Sequence, residues 1–534
     1  MGRRWGESTL VSRRTIGAVA GIAVVGLMLR VATVSRSIEI VDRLFISDDA
    51  YYTLTIARSI AHGHGPTTDG HTLTSGFQPL LGFLMVPVFW LTDNPDTALR
   101  VDLVLLVLVD TATIVVLAWL AYRLAGPVAA VAAAAMWAIS PLAISMAAGG
   151  LETSLAIFLD VALVAVWIYA ADRPTTRRWV VVGVVAGLTV LARVDALLLV
   201  GLLGALQLWR GPRHRLVPAA VGLAVVVVPW WAWCTVRLGT PVPTSGPAAH
   251  ELLRRLAFSG ETFARIAGTV TRGPFGLWPG LRSMLDDHPG YGVVVFWAAF
   301  AGFLASAWWW GRRRSGPVVA AAALPVFAAG LMLFYAWFGV YYYFVRYLAP
   351  AACVVTIVVA VAIGHLVDRA ASHPRLALGL VALLAVAILV VAGRPTVHGF
   401  TTTTTSSDGF DALTGFRPDA RAIVAAAPEG STVGSWQSGA VGYYADGQIT
   451  VVNLDGVVNP DAADAVRTNH TVEYVRDQHI EWLADAELIL VKFYVDSRTQ
   501  VRPPPSMNPV VRLAPTPQWF PQWYQLARID WDGE

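Results

Sequence analysis

Charge is scarce in this sequence. Charged residues make up 14% of the 534 positions and hydrophobic ones 56%, whereas a soluble globular chain carries about 25% charged residues. That balance excludes an ordinary soluble enzyme and describes a chain that lies mostly in lipid. Lysine is nearly missing, with Lys492 the one lysine among 39 basic residues. The net charge is only +3, and the arginines fall in short clusters between apolar runs, so no nucleic-acid partner is expected. The two cysteines, Cys234 and Cys353, lie inside apolar runs and read as buried thiols, not as a disulfide framework or a thiolate metal site. No repeat of 20–50 residues is visible. The first apolar run is of full span length and lacks a small-x-small exit site, so it reads as a retained helix and not a cleaved signal.

Long apolar runs are what the chain does have. Runs of span length fall at 15–36, 103–122, 127–147, 152–171, 216–237, 291–311, 316–338, 342–366 and 375–393. The stretch 178–209 is too long for one helix and is interrupted by ARVDA (192–196), so it divides into two shorter spans. The expectation is a polytopic α-helical membrane protein with about 11 transmembrane helices. The run 77–92 is short and broken by Pro79 and Pro87, which marks an interfacial or re-entrant helix. With Arg3, Arg4, Arg13 and Arg14 on the cytoplasmic side, alternation puts YRLAG (122–126), DRPTTRR (172–178), RGPRHR (210–215), GRRRS (311–315) and DRAASHPR (368–375) there too. The expected location is therefore the cell membrane, multi-pass, with a cytoplasmic N-terminus.

After about residue 395 the character changes. A threonine run (401–409) leads into STVGSWQSGAVGYY (431–444), which reads as strand, loop, helix. QITVVNLDG (448–456) reads as a strand into a turn. ELILVKFYV (487–495) reads as a further strand after a helix near 471–485. The domain reading is thus 1–395 membrane-embedded and 396–534 a C-terminal extracytoplasmic soluble α/β domain.

The same topology gathers the unusual polar residues on the outer side. The loop 37–102 carries the adjacent acids Asp48 and Asp49, followed by Tyr52, Leu54, Ile56, Ala57 and Ile60 at helical spacing. One acid of the pair is expected to cap that surface helix; a cap does not account for both. His62, His64 and His71 match no standard zinc spacing, and polar loop packing is their expected role. A divalent metal on Asp48 or Asp49 is a separate option. Glu152, Arg193, Asp195 and Arg346 lie within or at the ends of apolar runs. Ionisable groups there face a bundle interior or a watery cavity and are functional by default, the structural alternative being an ion pair among themselves.

These residues carry a family resemblance. DDAYYTLTIA (48–57), continued by IARSIAHGHG, DG and TSGFQPLLGF, resembles the first outer loop of the polytopic GT-C glycosyltransferases, particularly the group of aminoarabinose transferases and protein O-mannosyltransferases. The GLET turn (150–153) and the second large outer loop opening LGTPVPTSG (238–246) add to it. By layout the resemblance covers residues 10–395; by motif, 45–85, 148–155, 190–197 and 341–350. The aminoarabinose transferases have Asp-Glu where this chain has Asp-Asp, which bears on the donor sugar more than on the chemistry.

The resemblance implies a transferase that moves a sugar from a polyprenyl-phosphate donor to a cell-envelope glycan, lipid or protein acceptor at the outer membrane face, and a single displacement would make it inverting. Arabinose or mannose is the expected sugar, by association with the lysine-poor, Ala-, Val- and Arg-rich style of the sequence and not by any residue that would read the sugar. The chemistry suits the residues. A carboxylate can take the acceptor proton, and an arginine can clamp the departing phosphate. Asp48 is the expected base, with Asp49 positioning it or holding an ion. Arg346 is the expected phosphate ligand, beside Tyr342. Glu152, Arg193 and Asp195 are expected to orient sugar or acceptor, with His71, if it does more than pack its loop, and Gln78 as the next candidates. A transporter and a non-catalytic envelope-assembly protein are the rival readings. Transporters favour midplane charges and repeated halves, whereas these charges collect at one face.

Overall fold

The computed structural model describes residues 12–243, 245–275, 289–313, 316–339, 345–370, 379, 415–501, 505–513 and 524–531. The expected span 375–393, the 395/396 boundary, the threonine run and Tyr342 lie outside the described residues.

Helix α1 (Arg13–Val34) opens the bundle, its first turn capped by Ser12, which accepts from the Thr15 N–H at 3.1 Å. Three shorter helices follow: α2 (Ile38–Phe45), α3 (Asp48–Ala61) and α4 (Pro79–Phe89). The third matches the short Pro-bounded run expected at 77–92. Helix α5 (Pro95–Ala138) contains a break at Ala125 and Gly126, where Gly126 has φ 81°, just before Pro127. A left-handed glycine followed by proline cannot continue a helix, so this element supplies both spans expected at 103–122 and 127–147, the latter continued by α6 (Pro141–Ala147).

Then come α7 (Thr153–Asp172), α8 (Thr176–Ala192), a 3-10 turn (Val194–Ala196) and α9 (Leu197–Arg210). The break at ARVDA is as expected. Arg193 is extended (φ −154°, ψ 130°) and ends α8. The rest of the bundle is α10 (Leu216–Leu238), α11 (Ser245–Leu253), α12 (Gly260–Phe275), α13 (Pro289–Arg313), α14 (Ala323–Phe338) and α15 (Val345–Ala370).

Among the described residues seven helices are long and apolar enough to cross a membrane, and the chain is a polytopic membrane protein. The segments around α7, α14 and α15 are 61–67% buried, against 17% for α1 and α13. The former make the centre of the bundle; the latter turn residues such as Met28 and Val294 outward, where lipid is the apolar solvent.

One expectation changes here. The segment 238–290 is not simply an outer connection. Helix α12 packs on α13 and α15 and buries Ile266, Ala267 and Val270 in the main core. Phe263, Ile266, Ala267 and Val270 recur at i, i+3, i+4 and i+7. This stripe is too narrow to raise the local hydropathy to that of a span, yet wide enough to pack.

The C-terminal domain is α/β. Its elements are α16 (Phe416–Ala426), β1 (Thr432–Ser435), α17 (Gly439–Ala445), β2 (Thr450–Asn453), α18 (Pro460–Thr468), α19 (Thr471–Asp477), β3 (Trp482–Ala486), α20 (Glu487–Gln500), β4 (Ser506–Arg512) and β5 (Tyr524–Asp530). The sheet order is β2-β1-β3-β5-β4. The first three strands are parallel, and the last two pair antiparallel. The strand–loop–helix expected at 431–444 and the strand at 448–456 are present.

The strand expected at 487–495 is a helix, and the helix expected near 471–485 gives way to β3 at Trp482. Leu490, Phe493 and Ser497 are buried while Leu488, Val491 and Val495 are exposed. The burial therefore repeats at three to four residues, and the run of β-formers had hidden that period.

The domain is docked on the first connecting segment. Arg417 donates to Asp96 (2.6 and 2.9 Å) and to Glu39 (2.8 Å), and its backbone N–H reaches Asp42 (2.9 Å). Arg58 donates to the Tyr443 carbonyl at 3.0 Å. Tyr51, Leu54 and Leu99 share one apolar cluster with Ile423, Val433, Tyr443 and Leu526.

Candidate active site

The acid pair stands inside the first turn of α3, whose N-cap is Ser47. Neighbouring residues on a helix point about 100° apart, and the two acids meet different surroundings. Asp48 is 8% exposed. Its Oδ2 accepts from the Gly439 N–H and its Oδ1 from the Ala440 N–H, each at 2.8 Å. It therefore caps a helix, but that helix is α17 of the C-terminal domain and not its own. Burial pushes its carboxyl up to about 7; the two N–H groups oppose this, and Asp49 and Asp485 add to it.

The loop that presents those N–H groups is itself pinned. Asp485 accepts from the backbone N–H groups of Trp436 (2.8 Å), Gln437 (3.0 Å) and Ala486 (2.7 Å). Burial raises the Asp485 carboxyl to about 6.

Asp49, about 100° further round the helix, meets a different partner. Its side chain is 41% exposed and pairs with Arg346, near the start of α15. Arg346 also donates to the Tyr347 hydroxyl at 3.3 Å and to Ser47 Oγ at 3.4 Å. The Arg346 guanidinium carbon is 5.1 Å from the centre of the Tyr347 ring, and that of Arg193 is 4.9 Å from the same ring. Tyr347 stacks on Tyr335 at 5.2 Å and 7°.

Arg193 then donates to Glu152 Oε1 (2.8 Å), Asp195 Oδ2 (2.7 Å) and the Tyr335 hydroxyl (2.9 Å). Tyr335 in turn donates to Asp195 at 2.6 Å. A continuous polar network thus runs from Asp49 to Asp195 through residues drawn from four distant stretches of chain.

Backbone geometry supports it. Gly150 has φ 68°, and a Cβ there would come 3.1 Å from that of Ala50, so the GGLET turn packs closely on α3. The extended backbone at Arg193 ends α8 and aims the guanidinium at Glu152.

The structure therefore joins Asp49, Glu152, Arg193, Asp195 and Arg346, and sets Asp48 on the same helix turn but facing the C-terminal domain. Glu152 and Asp195 are engaged in ion pairs with Arg193, as the structural alternative had it, while the chain of contacts reaches on to the half-open Asp49. His71 and Gln78 are not joined to it among the described residues. His71 is exposed, its backbone N–H bonded to Asp69 at 2.8 Å, and Gln78 is the half-buried N-cap of α4. His62 pairs with Asp93 at 3.0 Å on the surface. Among the described residues no three His, Cys, Asp or Glu side chains converge in a way that would hold a metal ion.

Sequence reasoning missed Tyr335 and Tyr347, because an aromatic in an apolar run looks the same whether it faces lipid or a charge. It also passed over charges inside spans. Arg30 is fully buried and donates to Asp110 and to the carbonyls of Gly26, Trp137 and Ala138. Trp137 donates to Asp110 as well. That pair is saturated and structural. Asp102 is also buried, near Glu152, and among the described residues both its oxygens lack a hydrogen-bond partner.

Two solved structures give the fold a frame. The archaeal oligosaccharyltransferase AglB from Archaeoglobus fulgidus, in complex with an inhibitory peptide and a dolichol-phosphate, aligns over 91% of this chain and 71% of its own, at TM-score 0.59 and 15% identity. ArnT from Cupriavidus metallidurans, bound to undecaprenyl phosphate, aligns over 97% of this chain and 98% of its own, at TM-score 0.57 and 14% identity. The fold is GT-C-like. The resemblance seen in the sequence thus extends over the whole architecture, C-terminal domain included. Residues 414–530 match the model of a domain of unknown function, DUF8728. No curated protein matches the sequence.

Proposed function

We propose that this chain is a membrane glycosyltransferase that takes a sugar from a polyprenyl-phosphate donor and passes it to a hydroxyl-bearing envelope acceptor. The observation that carries the reading is the Asp49–Arg346 pair, a half-open carboxylate and an arginine held together at the end of the bundle where the C-terminal domain docks. The GT-C-like fold supports it, since the neighbouring structures were solved with dolichol-phosphate and undecaprenyl phosphate.

The chemistry follows from the pair. A base must reach the acceptor proton. Asp48 cannot without releasing two backbone N–H groups, so the role expected for it passes to Asp49. Arg346 is the phosphate ligand. When the donor phosphate arrives, it replaces the carboxylate on Arg346 and frees Asp49 as a proton acceptor. The acceptor oxygen attacks the anomeric carbon and the bond from that carbon to the phosphate oxygen breaks. The proton moves to Asp49, and polyprenyl phosphate leaves with its negative charge on Arg346. One displacement inverts the anomeric centre. Glu152, Arg193 and Asp195 hold Tyr335 and Tyr347 as a rigid wall beneath this pair.

On this reading the N-terminus is cytoplasmic and the C-terminal domain extracytoplasmic. Arabinose or mannose is the sugar, and an envelope glycan, lipid or protein is the acceptor. Titrating undecaprenyl phosphate into the purified protein and following tryptophan fluorescence tests the phosphate site. Saturable binding that Arg346→Ala weakens at least tenfold supports the reading. Binding that is indifferent to Arg346 removes its phosphate role.

A further inference from the structure

The C-terminal domain reaches the acid pair at a second point. Asn453 ends β2, and its Nδ2 lies 3.1 Å from the Tyr52 hydroxyl. Tyr52 is on α3, three residues after Asp49 and four after Asp48, so all three belong to one side of that helix. The LDG turn follows. The Gly456 N–H donates to Asn453 Oδ1 at 3.0 Å, Gly456 has φ 81°, and the Val457 N–H donates to Asp455 Oδ1 at 2.8 Å.

This turn is wedged against TSGFQP of the first loop. A Cβ at Gly76 would fall 1.8 Å from the Val457 carbonyl oxygen, and Val458 is buried with Tyr52, Ile56 and Phe77. Asp455 is half-buried and sits in the turn between Asn453, which bonds Tyr52 of α3, and Val457, which abuts Gly76 of the first loop. Burial, and after it the charges of Asp49 and Asp48, raise its carboxyl to about 7 against the pull of the Val457 N–H and Asn453.

We infer that Asp455 is a substrate-binding residue: from the turn packed on Tyr52, the C-terminal domain lends the site a second, half-buried carboxyl group that holds a hydroxyl of the acceptor. This rests on the glycosyltransferase reading. The Val457 N–H takes one oxygen of this carboxylate, and the other can accept from a hydroxyl, which an amide NH2 in its place cannot do. The acceptor would then be gripped by both domains, which explains why the turn is built into the first loop instead of hanging free.

Asp455 has evident structural tasks, accepting the Val457 N–H and hydrogen-bonding the Asn453 side chain. Asparagine keeps that oxygen, so Asp455→Asn separates shaping the turn from binding substrate. Asp455→Asn, Asp455→Ala and Asp49→Asn proteins are expressed in a strain deleted for this gene. Lipid extracts are read by mass spectrometry for polyprenyl-phosphate sugars, and the envelope for the transferred sugar. Purified variants are titrated with undecaprenyl phosphate. The inference expects Asp455→Asn to cut product at least tenfold and to accumulate donor, with undecaprenyl phosphate binding within twofold of wild type. Wild-type product from Asp455→Asn with loss only in Asp455→Ala makes the residue a turn former and overturns the inference. So does an Asp455→Asn protein that also loses undecaprenyl phosphate binding, because the fault is then the whole site. If the deletion strain itself accumulates no polyprenyl-phosphate sugar, the glycosyltransferase reading falls and takes this inference with it.

Discussion

Asp48 meets Gly439 across the junction of the two domains: the carboxylate of one residue accepts the backbone N–H of the other at 2.8 Å, and a Cβ on Gly439 would lie 2.2 Å from the Asp48 carbonyl oxygen. One acid of the pair thus spends itself on docking, and the contact leaves room for hydrogen alone at position 439. Gly439→Ala should push the C-terminal domain off α3, and Asp48→Ala should remove two charge-assisted hydrogen bonds at a cost of about 2–4 kcal/mol. Hydrogen exchange over 439–445 reports both; protection equal to wild type in either variant contradicts the docking role.

The same contact should depend on pH. Asp48 is raised from 3.8 to about 7 when docked, so the docked form binds more protons than a freed one between about pH 4 and 7. Stability that is fully present below that window is lost as pH rises through it. Exchange protection of 439–445 should therefore fall from pH 5 to pH 8, and Asp48→Asn should flatten the fall. Asp455 and Asp485 shift in the same direction, so some slope will survive in that variant. A wild-type profile that rises with pH reverses the sign and defeats the argument.

The base and the phosphate ligand should separate by what each variant loses. Asp49→Asn should keep undecaprenyl phosphate binding and lower transfer by about 10²–10⁴-fold, the range for a general base. Arg346→Lys should lose both in part, because a point charge cannot reproduce the planar fork. Equal transfer by Asp49→Asn and wild type would return the base role to another group.

The network beneath the pair is a matter of stability. Arg193→Met leaves the buried Glu152 without its ion-pair partner and the half-buried Asp195 with only Tyr335, which costs about 3–5 kcal/mol. Tyr335→Phe removes only a hydroxyl and should cost about 1–2 kcal/mol. Asp102, buried with no hydrogen-bond partner among the described residues, is the converse case: Asp102→Ala should leave stability unchanged or raise it by about 1–3 kcal/mol. Thermal unfolding of the three variants in one detergent gives the order. Arg193→Met melting above Tyr335→Phe would mean that the ion pairs are not carrying the wall.

Much of this was legible in the sequence because lipid simplifies the rules. Apolar run length gave the spans, ARVDA gave a break, and the costly charges Glu152, Arg193, Asp195 and Arg346 pointed to one network. What failed were cases where local pattern carries no partner information. Asp48 and Asp49 are alike in sequence, and only the fold shows that one faces Gly439 and the other Arg346. Tyr335 and Tyr347 sit among apolar residues that hide them. Helix α20 reads as a strand because Leu, Ile and Val dominate it, while its buried face follows Leu490, Phe493 and Ser497. Asp455 comes to the acid pair from roughly four hundred residues away, a closeness that chain spacing does not encode.

The donor is the heart of the proposal, and lipid extracts read it directly. Mass spectrometry of polyprenyl-phosphate sugars should compare a deletion strain with the same strain carrying the wild-type gene or Asp49→Asn. Accumulation of one polyprenyl-phosphate sugar in the deletion and Asp49→Asn strains, cleared by wild type, is the expected result. Identical lipid-sugar pools in all three strains would contradict it.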